Sequence, residues 1–407
     1  METKQVDDKE VVRVITTVQN NSSELLPLDL TIEILKRLPP KKILALRCVS
    51  KQWCSIINSR PFTNTFMSMS MSRPRLLFAF NIAHDGDKTS VVFYSSPHPP
   101  QVSKDSPSSS LMVAKKEMVL TKGIYLYSFN RITNVHGLVS YGSTLHEFFI
   151  CNPTTGQVVK FPKDQTFTPE EELHSHMYLA YDTTDGLYKV LLAPWDDSTR
   201  QHQVLTLGER KWRCVEGSCN TTSCQPNLIK QRGICINGVL YYGASTEEWE
   251  VSMIVSFDVR SEQLSYIQAP ITIHLDSYNK DSLQNYLGKL AVFSFTKEGL
   301  HIWVLENVKK HEWSFKTYVS HLFGKITTKP VTMRFVGTTN DGEIVIAPIM
   351  LSKDEAFVVI FYNLEKETKT SVGFVGFEGF EGLASYDRLT IRRILISPQH
   401  VENLISF

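Results

Sequence analysis

The sequence of 407 residues predicts a multidomain protein, α in front and all-β behind: a small three-helix unit followed by a β-propeller. Three observations carry that prediction. Residues 26–57 form a densely apolar stretch broken by Pro27 and by Pro39-Pro40. From about residue 73 onward, short runs rich in Val, Ile, Phe, Tyr and Trp alternate with polar turns. Those turns recur at a nearly constant interval.

The bulk composition is that of a globular protein, with 42% hydrophobic and 21% charged residues. A net charge of +1 supplies no field that would draw the whole chain to nucleic acid or to an anionic membrane. No apolar run reaches the roughly 20 residues of a membrane-spanning helix. Residues 1–24 mix both charge signs and lack a secretory pattern, so they are expected to form a disordered leader. With seven cysteines and no secretory signal, the chain is assigned to a reducing compartment, cytoplasm and/or nucleus. The sequons at Asn20, Asn21 and Asn220 then carry no glycan.

The first helix is expected to start near Asp29, a capping residue after Pro27, and to stop before Pro39. Leu30, Ile32, Ile34, Leu35 and Leu38 spread over more than half its circumference, so it needs more than one neighbour. A second helix fits Lys41 to Arg47, and a third fits Val49 to Asn58, with Val49, Trp53, Ile56 and Ile57 on one face. Pro61 lies just beyond. Three helices this short cannot bury so much apolar surface in one another, and the remainder implies a partner protein. The strip "FMSMSMSRP" (66–74) alternates at period two and is expected to lead into the first strand.

A period underlies the β region. Gly86, Gly137, Gly186, Gly238, Gly299 and Gly342 follow Asp, His, Asn or Glu at intervals of 51, 49, 52, 61 and 43 residues. Such pairs favour hairpin turns, and a kelch blade repeats at about 50 residues. A second hairpin follows several of these glycines, with Asn152, Asp258 and Asn363 heading three of its turns at intervals of 106 and 105. Two hairpins per period give a four-stranded blade. A sandwich would share the strand content, but two turn series with one period favour a kelch-like ring of five or six blades. Residues 97–112 are expected to be a flexible insert, and "LTIRRILISP" near the C-terminus to supply a closing strand.

These residues carry a family resemblance. "LPLDLTIEILKRLPPKKILALRCVSKQWCSIINSRPF" resembles an F-box, from its Leu-Pro opening to its Arg-Cys-Val-Ser-Lys-x-Trp stretch. The resemblance implies an F-box over 25–66 that binds a Skp-type adaptor and, through it, a cullin–RING ubiquitin ligase. Its adaptor-binding and self-packing positions fall on Leu26, Pro27, Leu30, Ile34, Leu35, Leu38, Pro39, Ile43, Leu46, Val49 and Trp53. Lys42 departs from the family, which more often has serine there. Motifs such as "NPTTGQVVKFP", "LGERKWR", "INGVLYYGA" and "SFDVRSEQLSYI" are similar to the F-box-associated domain of plant F-box proteins. That implies a substrate-recruiting domain, here spanning 73–400.

Chemistry is sparse. There is no Cys-x-x-Cys pair, phosphate-binding glycine loop or Gly-x-Ser-x-Gly elbow, so no catalytic residue, metal site or cofactor is expected. Cys214, Cys219, Cys224 and Cys235 are read as free thiols, and His174 and His176 as part of an exposed loop. The expected function is that of a non-catalytic receptor that promotes protein ubiquitination by proximity. One alternative is a glycan-binding or scaffold propeller outside ubiquitination, for which Trp195 and Trp249 are candidate contact residues. Another is a propeller enzyme with acids or metal ligands converging on the channel.

Overall fold

The computed structural model describes residues 27–83, 89–99, 109–121, 132–142, 148–161, 175–194, 201–215, 227–228, 233–245, 250–274, 281–296, 299–319, 333–348, 357–377 and 391–407. The leader, Leu26, Gly86, His174, Trp195, Cys219, Asn220, Cys224 and Trp249 lie outside these residues. The chain divides into two compact units, Met1–Phe66 and Met67–Phe407. Among the described residues, no helix is long and apolar enough to cross a membrane.

Four helices appear where three were expected. Helix α1 spans Leu28–Leu35, α2 Pro40–Leu46, α3 Lys51–Asn58 and α4 Arg60–Met71. The prolines set these boundaries. Pro39 is extended (φ −60°, ψ 143°), and Pro40 opens α2 at its first position, where no amide hydrogen is needed. Ser50 caps α3, its Oγ accepting from Trp53 N at 3.1 Å, so Val49 falls before that helix rather than inside it. Pro61 lies in the first turn of α4, where proline is tolerated, instead of marking the end of the helical unit. The strip starting at Phe66 is therefore helical as far as Met71; it is not an extended lead-in.

The second unit is a six-bladed propeller. Blade 1 has the strand order Ile391–His400, Arg75–Ala83, Thr89–Pro97, Lys115–Leu120 from inside outward. Blade 2 runs Thr133–Val135, Leu138–Gly142, Phe148–Asn152, Gln157–Lys160, and blade 3 runs Ser175–Asp182, Leu187–Pro194, Gln203–Thr206, Arg213–Cys214. Blade 4 is built on Ile234–Ile236, Val239–Ser245, Glu250–Asp258 and Gln263–His274, with Asn227–Leu228 also on its second strand. Blade 5 runs Asp281–Tyr286, Lys289–Phe295, Leu300–Asn307, Glu312–Tyr318, and blade 6 runs Met333–Thr338, Ile344–Pro348, Phe357–Asn363, Thr368–Val375.

The ring closes twice. The C-terminal strand 391–400 pairs antiparallel with 75–82 as the innermost strand of blade 1. In addition, Ser109–Val113 leaves blade 1 and pairs in parallel with Ser371–Val375 at the outer edge of blade 6. The end of the expected flexible insert is thus a strand. Sequence reading missed it because its partner lies more than 250 residues away.

Each of six apolar cores lies between two neighbouring blades. Leu76, Phe78 and Phe80 face blade 6, while Leu77 and Ala79 on the same strand face blade 2. A strand buried on both faces reads as a continuous apolar run, which explains "RLLFAF". Polar contacts add to the blade contacts. Buried Lys189 of blade 3 donates to Val259 O and Glu262 Oε1 of blade 4, both at 2.7 Å, and Arg213 donates to the same carboxylate at 2.7 Å. Burial pushes the Glu262 carboxyl up, but the hydrogen bonds and charges of Arg213 and Lys189 outweigh that and hold it below its ordinary range.

The hairpins follow the expected series with one substitution. His136-Gly137, Asn237-Gly238 and Leu287-Gly288 each place both turn residues at positive φ, the geometry that matches strand twist. Gly288, not Gly299, is the member contributed by blade 5, and with it the intervals from Gly137 to Gly342 become 49, 52, 50 and 54 residues. Gly299 belongs to the following turn of the same blade. In the second series Asn152, Asp258 and Asn363 accept amide hydrogens from their own turns at 2.7–3.4 Å, and Asn307 joins them at 3.1 Å.

The last seven residues clasp the hairpin end of blades 2 and 3. Asn403, 3% exposed, donates from Nδ2 to His136 O at 3.0 Å and to Tyr188 Oη at 2.7 Å. Asn152 donates to Asn403 O and Ile405 O, both at 3.0 Å. Glycine is required beneath this segment, because a Cβ at Gly137 would stand 2.4 Å from Val401 O.

Candidate functional site

The surface of the helical unit divides the predicted positions into two groups. Leu35 and Ile43 are fully buried and Leu46 and Trp53 nearly so, joined by Ile57 and Phe62. These side chains are among the buried apolar residues that helices α1 to α4 contribute. Leu30, Ile34 and Val49 remain 52%, 39% and 44% exposed, and Pro27 and Pro39 are exposed as well. Leu38 is half-buried. Leu26 lies outside the described residues.

Local geometry explains the division. Within α1, Thr31 and Leu35 occupy one stripe at a spacing of four and turn inward. Leu30 and Ile34 share the adjacent stripe at the same spacing and turn outward. Val49 lies in the turn before Ser50, outside α3. Leu28, 54% exposed, adds to the outward group. The resemblance does not include it, and its signal in the sequence is its place in a Leu-Pro-Leu run whose first leucine is already a motif position. Large apolar side chains left in water at this density mark an interaction surface rather than scattered exposure.

Charge frames the apolar positions. Glu33 pairs with Lys36 and with Arg37, the latter at 3.0 Å, and hydrogen bonds from Lys36 and then Arg37 hold its carboxyl below the ordinary range. Lys41, Lys42 and Lys51 are exposed. Lys42, the departure from the family pattern, therefore sits on an exposed part of α2, where it intrudes on no packing.

The β unit brings no reactive cluster together among the described residues. No three His, Cys, Asp or Glu side chains there could share a metal ion. Cys214 is exposed on the outer strand of blade 3, and Cys235 lies on the inner strand of blade 4, its thiol pushed up to about 11 by burial. His176 is buried on blade 3, not in an exposed loop, because its strand begins at Ser175.

Comparison with known proteins accords with this architecture. Residues 24–65 match the F-box domain family, and residues 75–401 match the family described as the F-box associated beta propeller domain. The Arabidopsis thaliana protein "F-box protein At1g30790" is 33% identical over 399 residues, covering 93% of this chain and 97% of that protein. "F-box protein DOR", also from Arabidopsis thaliana, is 35% identical over 380 residues, covering 88% of this chain and 90% of that protein. Among solved structures, a fungal alcohol oxidase in complex with copper is similar at a TM-score of 0.36 and 12% identity, covering 73% of this chain and 62% of that one. An F-box early in the sequence, a six-bladed ring after it and F-box proteins matched over nearly their whole length converge: the chain belongs to the F-box proteins that carry an F-box associated β-propeller domain.

Proposed function

We propose that this protein is the substrate-recognition subunit of a Skp–cullin–F-box ubiquitin ligase, working in the cytoplasm and/or nucleus. The observation that carries the reading is the outward apolar group of Leu28, Leu30, Ile34 and Val49 beside the buried Leu35, Ile43, Leu46 and Trp53. Side chains of this size contribute about 1.5–3 kcal/mol each when taken fully out of water. About half or more of Leu28 and Leu30, and about two-fifths of Ile34 and Val49, stays in water and is free to meet a partner. The kelch-like ring would hold a target protein. Its contribution to the reaction is effective concentration: a lysine of the target is kept near a charged conjugating enzyme, and no nucleophile of this chain takes part.

The test is a double substitution, Leu30→Asp with Ile34→Asp, in the full chain co-expressed with a Skp-type adaptor. Two charges placed in an apolar contact are expected to reduce adaptor co-purification at least about a hundredfold, given the penalty for a buried unpaired charge. The thermal unfolding midpoint should fall far less than for a charge at the fully buried Leu35, because Leu30 keeps 52% and Ile34 39% of its surface in water. Undiminished co-purification would sink the assignment.

A further inference from the structure

The axis of the propeller holds a cavity of about 410 Å³. Blades 1, 2, 4, 5 and 6 line it with their inner strands and hairpins. Among the residues that line it there is no Asp, Glu, Lys or Arg. Instead Asn134, Asn237, Gln284, Asn285, Asn340 and Gln399 bring six carboxamides to one space. His136 also lines it, and desolvation lowers that imidazole to about 4, so it too is neutral at pH 7.

The wall keeps hydrogen-bonding capacity in reserve. Gln399 Oε1 accepts from Asn285 Nδ2 at 3.1 Å, which engages its carbonyl and leaves its amide hydrogens as donors. Gln284 does the reverse: its Nε2 donates to Ser282 Oγ at 3.2 Å, which leaves Oε1 as an acceptor. Gly337 lets blade 6 approach the closing strand, since a Cβ there would stand 3.2 Å from Pro398 Cδ. Ile234, Leu283 and Ile396 also border the space, but Leu283 and Ile396 belong to the cores between blades and leave little surface in it.

We propose that this channel is a binding site for a neutral polyhydroxylated small molecule, a monosaccharide or cyclitol. The lining argues against three other ligand classes in turn. An anion would find no cation, and a metal or ammonium ion no carboxylate. A purely apolar ligand would strip water from the amides without replacing their hydrogen bonds, at about 1–3 kcal/mol for each group. A polyol gives every hydroxyl as both donor and acceptor, which suits carboxamides that offer one or the other. The cavity volume falls within the range of about 300–1,000 Å³ usual for small-molecule sites.

The experiment is isothermal titration of the full-length chain with D-glucose and with myo-inositol, and with inositol hexakisphosphate as the charged comparison. Saturable binding of at least one neutral probe is expected, with weaker or no binding of the hexakisphosphate. Gln284→Leu and Gln399→Leu should each weaken the neutral probe about tenfold, the loss of one hydrogen bond to a buried partner. Gln284→Leu removes only the contact to Ser282 and leaves the blade pairing intact. Slowed amide hydrogen exchange in 283–285 and 395–399 on adding the probe reads the same event without a substitution. Absence of saturable binding by both neutral probes would overturn the proposal. So would tighter binding of the hexakisphosphate, or undiminished binding by both variants.

Discussion

Leu30 and Leu35 are of one residue type, five positions apart on α1, and they serve different ends. Leu35 has no exposed surface, and Leu30 keeps 52% of its own. Charge at Leu30 is therefore predicted to break a partnership and leave the fold, whereas truncation at Leu35 works the other way. Side-chain truncation at a fully buried leucine costs about 2–5 kcal/mol, a large share of the stability of so small a unit. Asn403 shows the same logic for a polar side chain. Its amide joins the backbone of blade 2 to the Tyr188 hydroxyl of blade 3 and also accepts from Ile405 N at 2.9 Å. Asn403→Ala is predicted to lower the stability of the propeller by about 2–4 kcal/mol, because buried groups then lose partners that water cannot replace. Urea unfolding followed by tryptophan fluorescence measures this, and an unchanged midpoint would mean that the C-terminal segment is not a structural clasp.

At the scale of elements, the hairpin turns do more than reverse the chain. Asn237 Nδ2 in the blade 4 turn donates to Gly288 O in the blade 5 turn at 3.0 Å. Leu287 in the blade 5 turn lies against Gly342 of blade 6, whose Cβ, if present, would stand 3.1 Å from Leu287 Cδ2. Successive turns touch around part of the ring. Leu287 holds φ at 53° and is 53% exposed, an unfavourable conformation for a leucine. Leu287→Asn is predicted to stabilise the protein by about 0.5–1 kcal/mol, since asparagine tolerates the left-handed region and leucine does not. A rise in the thermal midpoint checks it; a fall would show that the Gly342 contact outweighs the backbone strain. The turns are also where the sequence was most readable. Asn237-Gly238 and the Asn-headed and Asp-headed turns announce themselves because local residues alone decide their geometry. Helix α4 was hidden because Pro61 reads as an end although it sits in a first turn, and because Met and Ser alternating over 67–71 imitate a strand. The outer strand 109–113 was hidden for a different reason: nothing near it in sequence pairs with it. In the helical unit, the motif named the positions, but it did not separate the inward Leu35 from the outward Ile34, since both are apolar and only the packing of α2 to α4 assigns their sides.

For the propeller as a whole, the decisive place is the seam where blade 6 meets blade 1. It is built more heavily in aromatics than any single turn or strand requires. Phe78, Phe80, Tyr94, Phe357, Phe374 and Phe377 meet there with ring centroids 4.9–6.3 Å apart. Two strands cross the seam, one inside and one outside, so closure depends on residues from both ends of the chain. His400 ends the inner closing strand opposite Arg75, is 1% exposed, and is brought down to about 3, by burial first and by the Arg75 charge second. In the unfolded chain a histidine titrates near 6.5. Above pH 6.5 the residue is neutral in both states, and its titration leaves stability unchanged. As pH falls below that value the unfolded chain gains a proton that the closed ring refuses. Stability is therefore lost by about 1.4 kcal/mol for every pH unit, until the folded value is reached. His136 and His202, both lowered to about 4 by desolvation, act in the same direction from positions that keep part of their surface in water. The predicted result is a thermal midpoint that is flat above pH 7 and falls steeply between pH 6 and 4. His400→Gln, which cannot take up a proton, should make that descend less steeply; an equal slope in parent and variant would remove His400 as the point at which acid opens the ring.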